Sequence, residues 1–123
     1  MQFLTPRKRA EGLGASHTGT HHHWQMQVTG MALAVLTPLF ILTFGRILGA
    51  PYEEVVAYFA RPFPAVVAAL MLVVGLLHFA AGAQMAIEDY SGGMTRKILI
   101  LVTNFVAYAA AALALFALVR LAL

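Results

Sequence analysis

The residues of this chain best suited to chemistry are His78 and, eleven positions later, the dipeptide Asp89 and Tyr90. His78 is the one ionisable group in an apolar run from residue 64 to residue 87 (PAVVAALMLVVGLLHFAAGAQMAI) that is long enough to cross a bilayer. An imidazole in hydrocarbon costs free energy unless a partner uses it, so an intramembrane histidine marks a functional site by default. Three uses are open: an axial ligand to haem iron, an interhelical hydrogen bond, or a proton relay. A relay needs further ionisable groups at depth, and the other apolar runs supply none. Zinc or copper needs more nitrogen, sulfur or carboxylate ligands than these runs contain. A six-coordinate haem takes one axial ligand on each side, so a haem held by His78 would draw its second histidine from another polypeptide.

Helical phase relates the neighbours of His78 to it. At about 100° per residue, Met85 lies about 20° away, Gly82 about 40° and Gly75 about 60°. The two glycines can serve close helix approach, as small residues do in membranes, or leave room for a flat macrocycle beside the imidazole; with His78 between them the second reading gains. Asp89 is about 20° from His78 in phase and about 16 Å along the axis, with Tyr90 about 120° away. An interfacial phenol is commonly an anchor. Beside Asp89 and Glu88, it can also donate a hydrogen bond to a quinone carbonyl, with a carboxylate orienting it or relaying a proton.

The elements that position these groups follow from composition. Of 123 residues, 61% are hydrophobic and 11% charged, against about 45–50% and about 25% in soluble domains. This is the balance of a membrane protein. There is no cysteine, which excludes disulfides, thiol nucleophiles and iron–sulfur ligation within the chain. The formal charge of +3 comes from residues outside the apolar runs, which suits topology rather than nucleic acid. No cleavable signal is expected, because an apolar core near the start and a small-residue cleavage site are missing. Residues 1–23 are expected to form a polar, basic cytoplasmic tail, and residues 24–123 a transmembrane anchor domain. Its spans, at about 24–48, 64–87 and 98–123, each exceed the roughly 20 residues a crossing helix needs. The fold class is therefore an all-α membrane protein of three transmembrane helices. Pro38 is expected to kink the first helix without breaking it. Residues 49–63 form a loop with a short interfacial helix, and residues 88–97 a tight turn around Gly92 and Gly93, with Arg96 and Lys97 opening the third helix.

The tail carries Arg7, Lys8 and Arg9, and the second loop Arg96 and Lys97, while Arg46 and Arg61 in the first loop region are offset by Glu53 and Glu54. By the positive-inside rule the tail and second loop are cytoplasmic. The C-terminus, near Arg120, then lies on the periplasmic side.

His78, Gly82, Asp89 and Tyr90 give the pattern H-x3-G-x6-D-Y at the end of the second of three spans. With the basic tail, Trp24 and the QVT segment opening the first helix, the chain resembles the small hydrophobic membrane-anchor subunits of bacterial succinate dehydrogenase, respiratory complex II. The resemblance covers essentially the whole chain, and the stretches FGRILGAPYEEVVAYFARPFP and EDYSGG look like the alphaproteobacterial form. It implies half of a heterodimeric haem-binding helical bundle in the inner membrane. His78 would be one axial ligand of haem b, the other coming from the companion cytochrome b subunit. Tyr90 would hydrogen-bond ubiquinone beside that companion and the iron–sulfur subunit, with Asp89 supporting the site by pairing with a basic partner residue. Some relatives carry, fifty-one residues before the histidine, an arginine that meets a haem propionate; here that position is Gln27, which puts the contact in doubt. His21 stands where a second propionate contact can fall, although His21, His22 and His23 also read as a plain polar entry segment.

The resemblance thus implies a non-catalytic anchor for the flavoprotein and iron–sulfur subunits, which helps form the site of ubiquinone reduction. A fumarate reductase anchor working in the opposite direction is the alternative within the class. Outside it stands a small transporter or structural membrane protein in which His78 is interhelical glue. That role needs polar partners at matching depth, for which the other spans offer Thr29, Thr37, Thr43, Thr103 and Asn104.

Overall fold

The structure is a computed structural model that describes residues 3–14 and 19–122. Residues 1–2 and 15–18 of the expected tail and residue 123 of the expected third span lie outside the described residues. Five α-helices follow in order: α1 (Pro6–Glu11), α2 (Gly19–Gly45), α3 (Tyr52–Phe59), α4 (Pro62–Tyr90) and α5 (Gly93–Ala122). Among the described residues there is no strand. Three helices, α2, α4 and α5, are long and apolar enough to cross a membrane. Lipid offers backbone groups no partner, so each run must satisfy its own hydrogen bonds as a helix.

The helices overrun the apolar runs at several ends, because hydropathy marks where lipid begins rather than where the hydrogen-bond ladder begins. The ladder of α2 starts at Gly19 and takes in His21, His22 and His23. It passes Pro38 without a break, although proline cannot donate to the carbonyl one turn back. The ladder of α4 runs on to Tyr90, so Asp89 and Tyr90 ride its last turn.

Only Ser91 and Gly92 separate α4 from α5. Ser91 stops the first helix in extended conformation (φ −126°, ψ 151°) while its N–H still bonds the Ile87 carbonyl at 2.9 Å. The chain reverses through Gly93, whose φ is +59°, a region that costs an L-residue about 1–2 kcal/mol. Arg96 braces the reversal, its Nε donating to the Ser91 carbonyl at 2.7 Å.

The spans form a row, with α4 packed against α2 on one side and α5 on the other, while α2 and α5 do not pack on each other. A row encloses little. The buried apolar side chains of the core are Phe59, Val67, Ala68, Ala80 and Ala107. At the far end α3 caps the row. The Tyr58 hydroxyl donates to the Thr43 carbonyl at 3.0 Å, satisfying one of the orphan acceptors at the end of α2. Phe59 packs against Phe44 with ring centroids 6.5 Å apart. The short expected helix in the first loop is thus α3. By contrast α1, capped by Thr5 and opened by Pro6, buries no residue and packs on none of the other helices. Its Arg7–Glu11 pair at 2.7 Å is exposed, and such pairs contribute little.

Gly93→Ala should lower stability by about 1–2 kcal/mol through backbone strain alone, since no atom lies within 4 Å of the added Cβ. Gly92→Ala, at a position without positive φ, serves as control. Thermal inactivation of the detergent-solubilised protein should separate the two variants; equal midpoints would contradict this account of the turn.

Candidate functional site

His78 lies mid-span on α4, and the chemistry around it depends on how α2 and α4 meet. The glycines of α4 are the contact points. A Cβ on Gly82 would stand 3.2 Å from Met26 Cε, and one on Gly75 would stand 4.0 Å from Leu33 Cδ2. Of the two uses open to these glycines, the geometry realises close helix approach, with side chains of α2 over both. The space beside the imidazole is made instead by Gly30 of α2, where an added Cβ would come 3.4 Å from His78 Cε1.

The half-buried ring of His78 is tied across the interface, with Nδ1 hydrogen-bonded to Thr29 Oγ1 at 2.9 Å. Thr29 Oγ1 in turn lies 2.9 Å from the Gln25 carbonyl and 3.2 Å from that of Met26, within its own helix. This is an interhelical hydrogen bond, one of the three uses open to an intramembrane histidine. It engages one ring nitrogen, and no further hydrogen bond to the ring forms among the described residues.

His78 also lines an open groove of about 400 Å³ with His23, Met26, Gln27, Gly30, Met31 and Ala34. These α2 positions recur at the spacing of one helix face, so the groove runs along α2, with the imidazole reaching it past Gly30. An iron porphyrin needs a nitrogen donor, apolar walls and no side chain where the ring lies. The groove has an imidazole at its wall, a largely apolar lining and, at Gly30, no side chain beside the ring, so the residues present fit the group.

The other sites expected from sequence fall elsewhere. Gln27 lies on the groove with His78, and so does His23. At about 1.5 Å per residue His23 is roughly 10 Å along α2 from Gly30, too far to ligate the same iron. His21 instead lines an adjoining recess of about 530 Å³ with His22, His23, Gln84, Met85 and Glu88. Among the described residues no group of three or more His, Cys, Asp or Glu side chains could hold a metal ion. Asp89 is exposed and Tyr90 is 91% exposed. No hydrogen bond joins them among the described residues, and the nearest carboxylate bond is Gln84 Nε2 donating to Glu88 Oε1 at 2.8 Å. Any ligand at Tyr90 would therefore meet it from outside this chain's own helix row.

Sequence reasoning singled out His78 and named Thr29 among five polar groups that could meet it, without choosing between them, and it missed Gly30. Thr29 stands forty-nine residues away, yet a signal existed. Counted from the shared membrane face, Thr29 is about 15 Å into α2 and His78 about 18 Å into α4. Depth matching between antiparallel spans would have paired them.

The comparisons with known proteins agree with this architecture. Residues 1–118 match the family described as succinate dehydrogenase/fumarate reductase transmembrane subunit. The chain is 48% identical over 123 residues to a protein of Paracoccus denitrificans named succinate dehydrogenase hydrophobic membrane anchor subunit, covering 100% of this chain and 95% of that protein. No solved structure matches. A match over nearly the whole chain, on a fold of three spanning helices, establishes that this protein belongs to the succinate dehydrogenase/fumarate reductase transmembrane subunit family.

Proposed function

We propose that this chain is the subunit that anchors succinate:ubiquinone oxidoreductase in the bacterial inner membrane, and that it shares a haem b with a second membrane polypeptide and contributes to the ubiquinone-reduction site. The observation that carries the proposal is the environment of His78: one ring nitrogen engaged by Thr29 and the ring at the wall of an open, largely apolar groove. A purely structural histidine would need only the hydrogen bond, and the groove along α2 would then have no use.

In this role His78 would hold the haem from this chain. With one histidine at that depth in the described helices, the companion cytochrome b subunit would supply the other ligand. Haem bound there supplies a one-electron carrier beside the quinone site. Gln27 and His23 line the same groove as His78 and would be the donors for carboxylates at a porphyrin edge, while His21 lines the adjoining recess.

Ubiquinone accepts two electrons and two protons to become ubiquinol. Tyr90, nearly fully exposed on the last turn of α4, offers a phenolic donor to a quinone carbonyl, and Asp89 beside it provides a carboxylate for a basic partner residue. Their exposure suits a site completed by other subunits: the companion cytochrome b subunit and the iron–sulfur subunit, which with the flavoprotein would carry the oxidation of succinate. The cationic tail and the Arg96–Lys97 turn stand at the same end of the spans as Tyr90, which supports a cytoplasmic N-terminus and a periplasmic C-terminus. The fumarate reductase direction shares all these features; the form that the quinone-site test takes distinguishes it.

In the assembled complex, His78→Ala should abolish the dithionite-reduced haem band; an unchanged spectrum would contradict axial ligation. Tyr90→Phe, which removes a hydrogen bond worth about 1–1.5 kcal/mol, should lower quinone reduction about 10-fold while succinate oxidation with a soluble dye persists. Parallel loss of both activities would assign Tyr90 to assembly instead.

A further inference from the structure

We infer that Thr29 is the positioning residue for the His78 ligand, fixing both the tautomer and the rotation of its imidazole. The inference rests on the proposal that His78 binds haem iron. A neutral imidazole carries one N–H. If Nε2 is to give its lone pair to a metal, the proton must reside on Nδ1, and the hydrogen bond made by Nδ1 decides whether it does.

The hydrogen bonds of Thr29 complete that requirement. Its hydroxyl has one proton and two lone pairs, and its oxygen lies 2.9 Å from His78 Nδ1 and 2.9 Å from the Gln25 carbonyl. The carbonyl can only accept. With the hydroxyl proton directed to Gln25 oxygen, Thr29 presents a lone pair to His78, and Nδ1–H donates to it. A relay then runs from His78 Nδ1–H to Thr29 Oγ1–H to the backbone carbonyl, each donor facing an acceptor, and Nε2 is left unprotonated.

Two physical effects follow. The bond holds the imidazole plane against rotation, with Gly30 offering no side chain to displace it. Donation from Nδ1 also raises the basicity of the other nitrogen, which favours the more highly charged ferric iron and holds the midpoint potential down. Within the described helices Thr29 is the one side chain hydrogen-bonded to His78.

The test uses the assembled membrane complex carrying Thr29→Val, which keeps the side-chain shape and removes the hydroxyl, and Thr29→Ser, which keeps the hydroxyl. Readouts are the haem absorbance, the midpoint potential from redox titration and the low-temperature EPR signal of the ferric haem. Thr29→Val should retain the pigment with an upward shift in potential and a displaced low-spin signal, while Thr29→Ser stays at the native values. Complete loss of haem in Thr29→Val with recovery in Thr29→Ser also supports the assignment. A Thr29→Val complex with native potential and EPR signal overturns it, as do equal changes or equal haem loss in both variants, which would mark a packing role. Failure of the underlying haem proposal would show separately, as a haem band that survives His78→Ala.

Discussion

A polar ring in hydrocarbon must have partners on every nitrogen, and that requirement on His78 organises this molecule. One nitrogen is answered inside the chain by Thr29 Oγ1 at 2.9 Å. Such a bond needs α2 and α4 close together, and closeness needs small residues. Gly75 and Gly82 admit Leu33 and Met26 from α2, and Gly30 of α2 stands beside the imidazole. The close interface and the hydrogen bond are therefore one arrangement, in which removing either weakens the other. Among the described residues the ring makes no second hydrogen bond, and His78 lines a groove open to the outside.

That openness extends to the fold. Three spans in a row, with α4 in the middle, leave broad apolar faces uncovered, including Val35, Leu101, Phe105 and Leu113. Lipid satisfies such faces without cost, so exposure of large hydrophobic side chains here is not a defect as it would be in water. Polar groups are different. Asp89 and Tyr90 at the end of α4 are exposed, and His78 within it lines an open groove.

Much of this was legible from residue order. Long apolar runs dictate helices in a bilayer, so the three spans and the short α3 between them followed from composition and length. Helix ends were harder, because polar residues such as His21 to His23 continue a helix as readily as they leave the lipid. The motif His78, Gly82, Asp89 and Tyr90 pointed to the family, and the comparisons bear this out. The role of the glycines could not be read, since one-dimensional phase shows which residues share a face but not what lies over it. For the same reason the groove was invisible: it is built mainly on α2, from positions whose alignment with the imidazole of another helix does not show in residue order.

The central claim is that the free side of this intramembrane imidazole is a metal-binding side. A structure of the complete complex, determined from native membranes with its prosthetic groups in place, tests it most directly. An iron atom at bonding distance from His78 Nε2, with the porphyrin lying along the α2 groove past Gly30, is the result expected. A His78 ring that meets only lipid or protein side chains, with iron porphyrin elsewhere or missing, would contradict it.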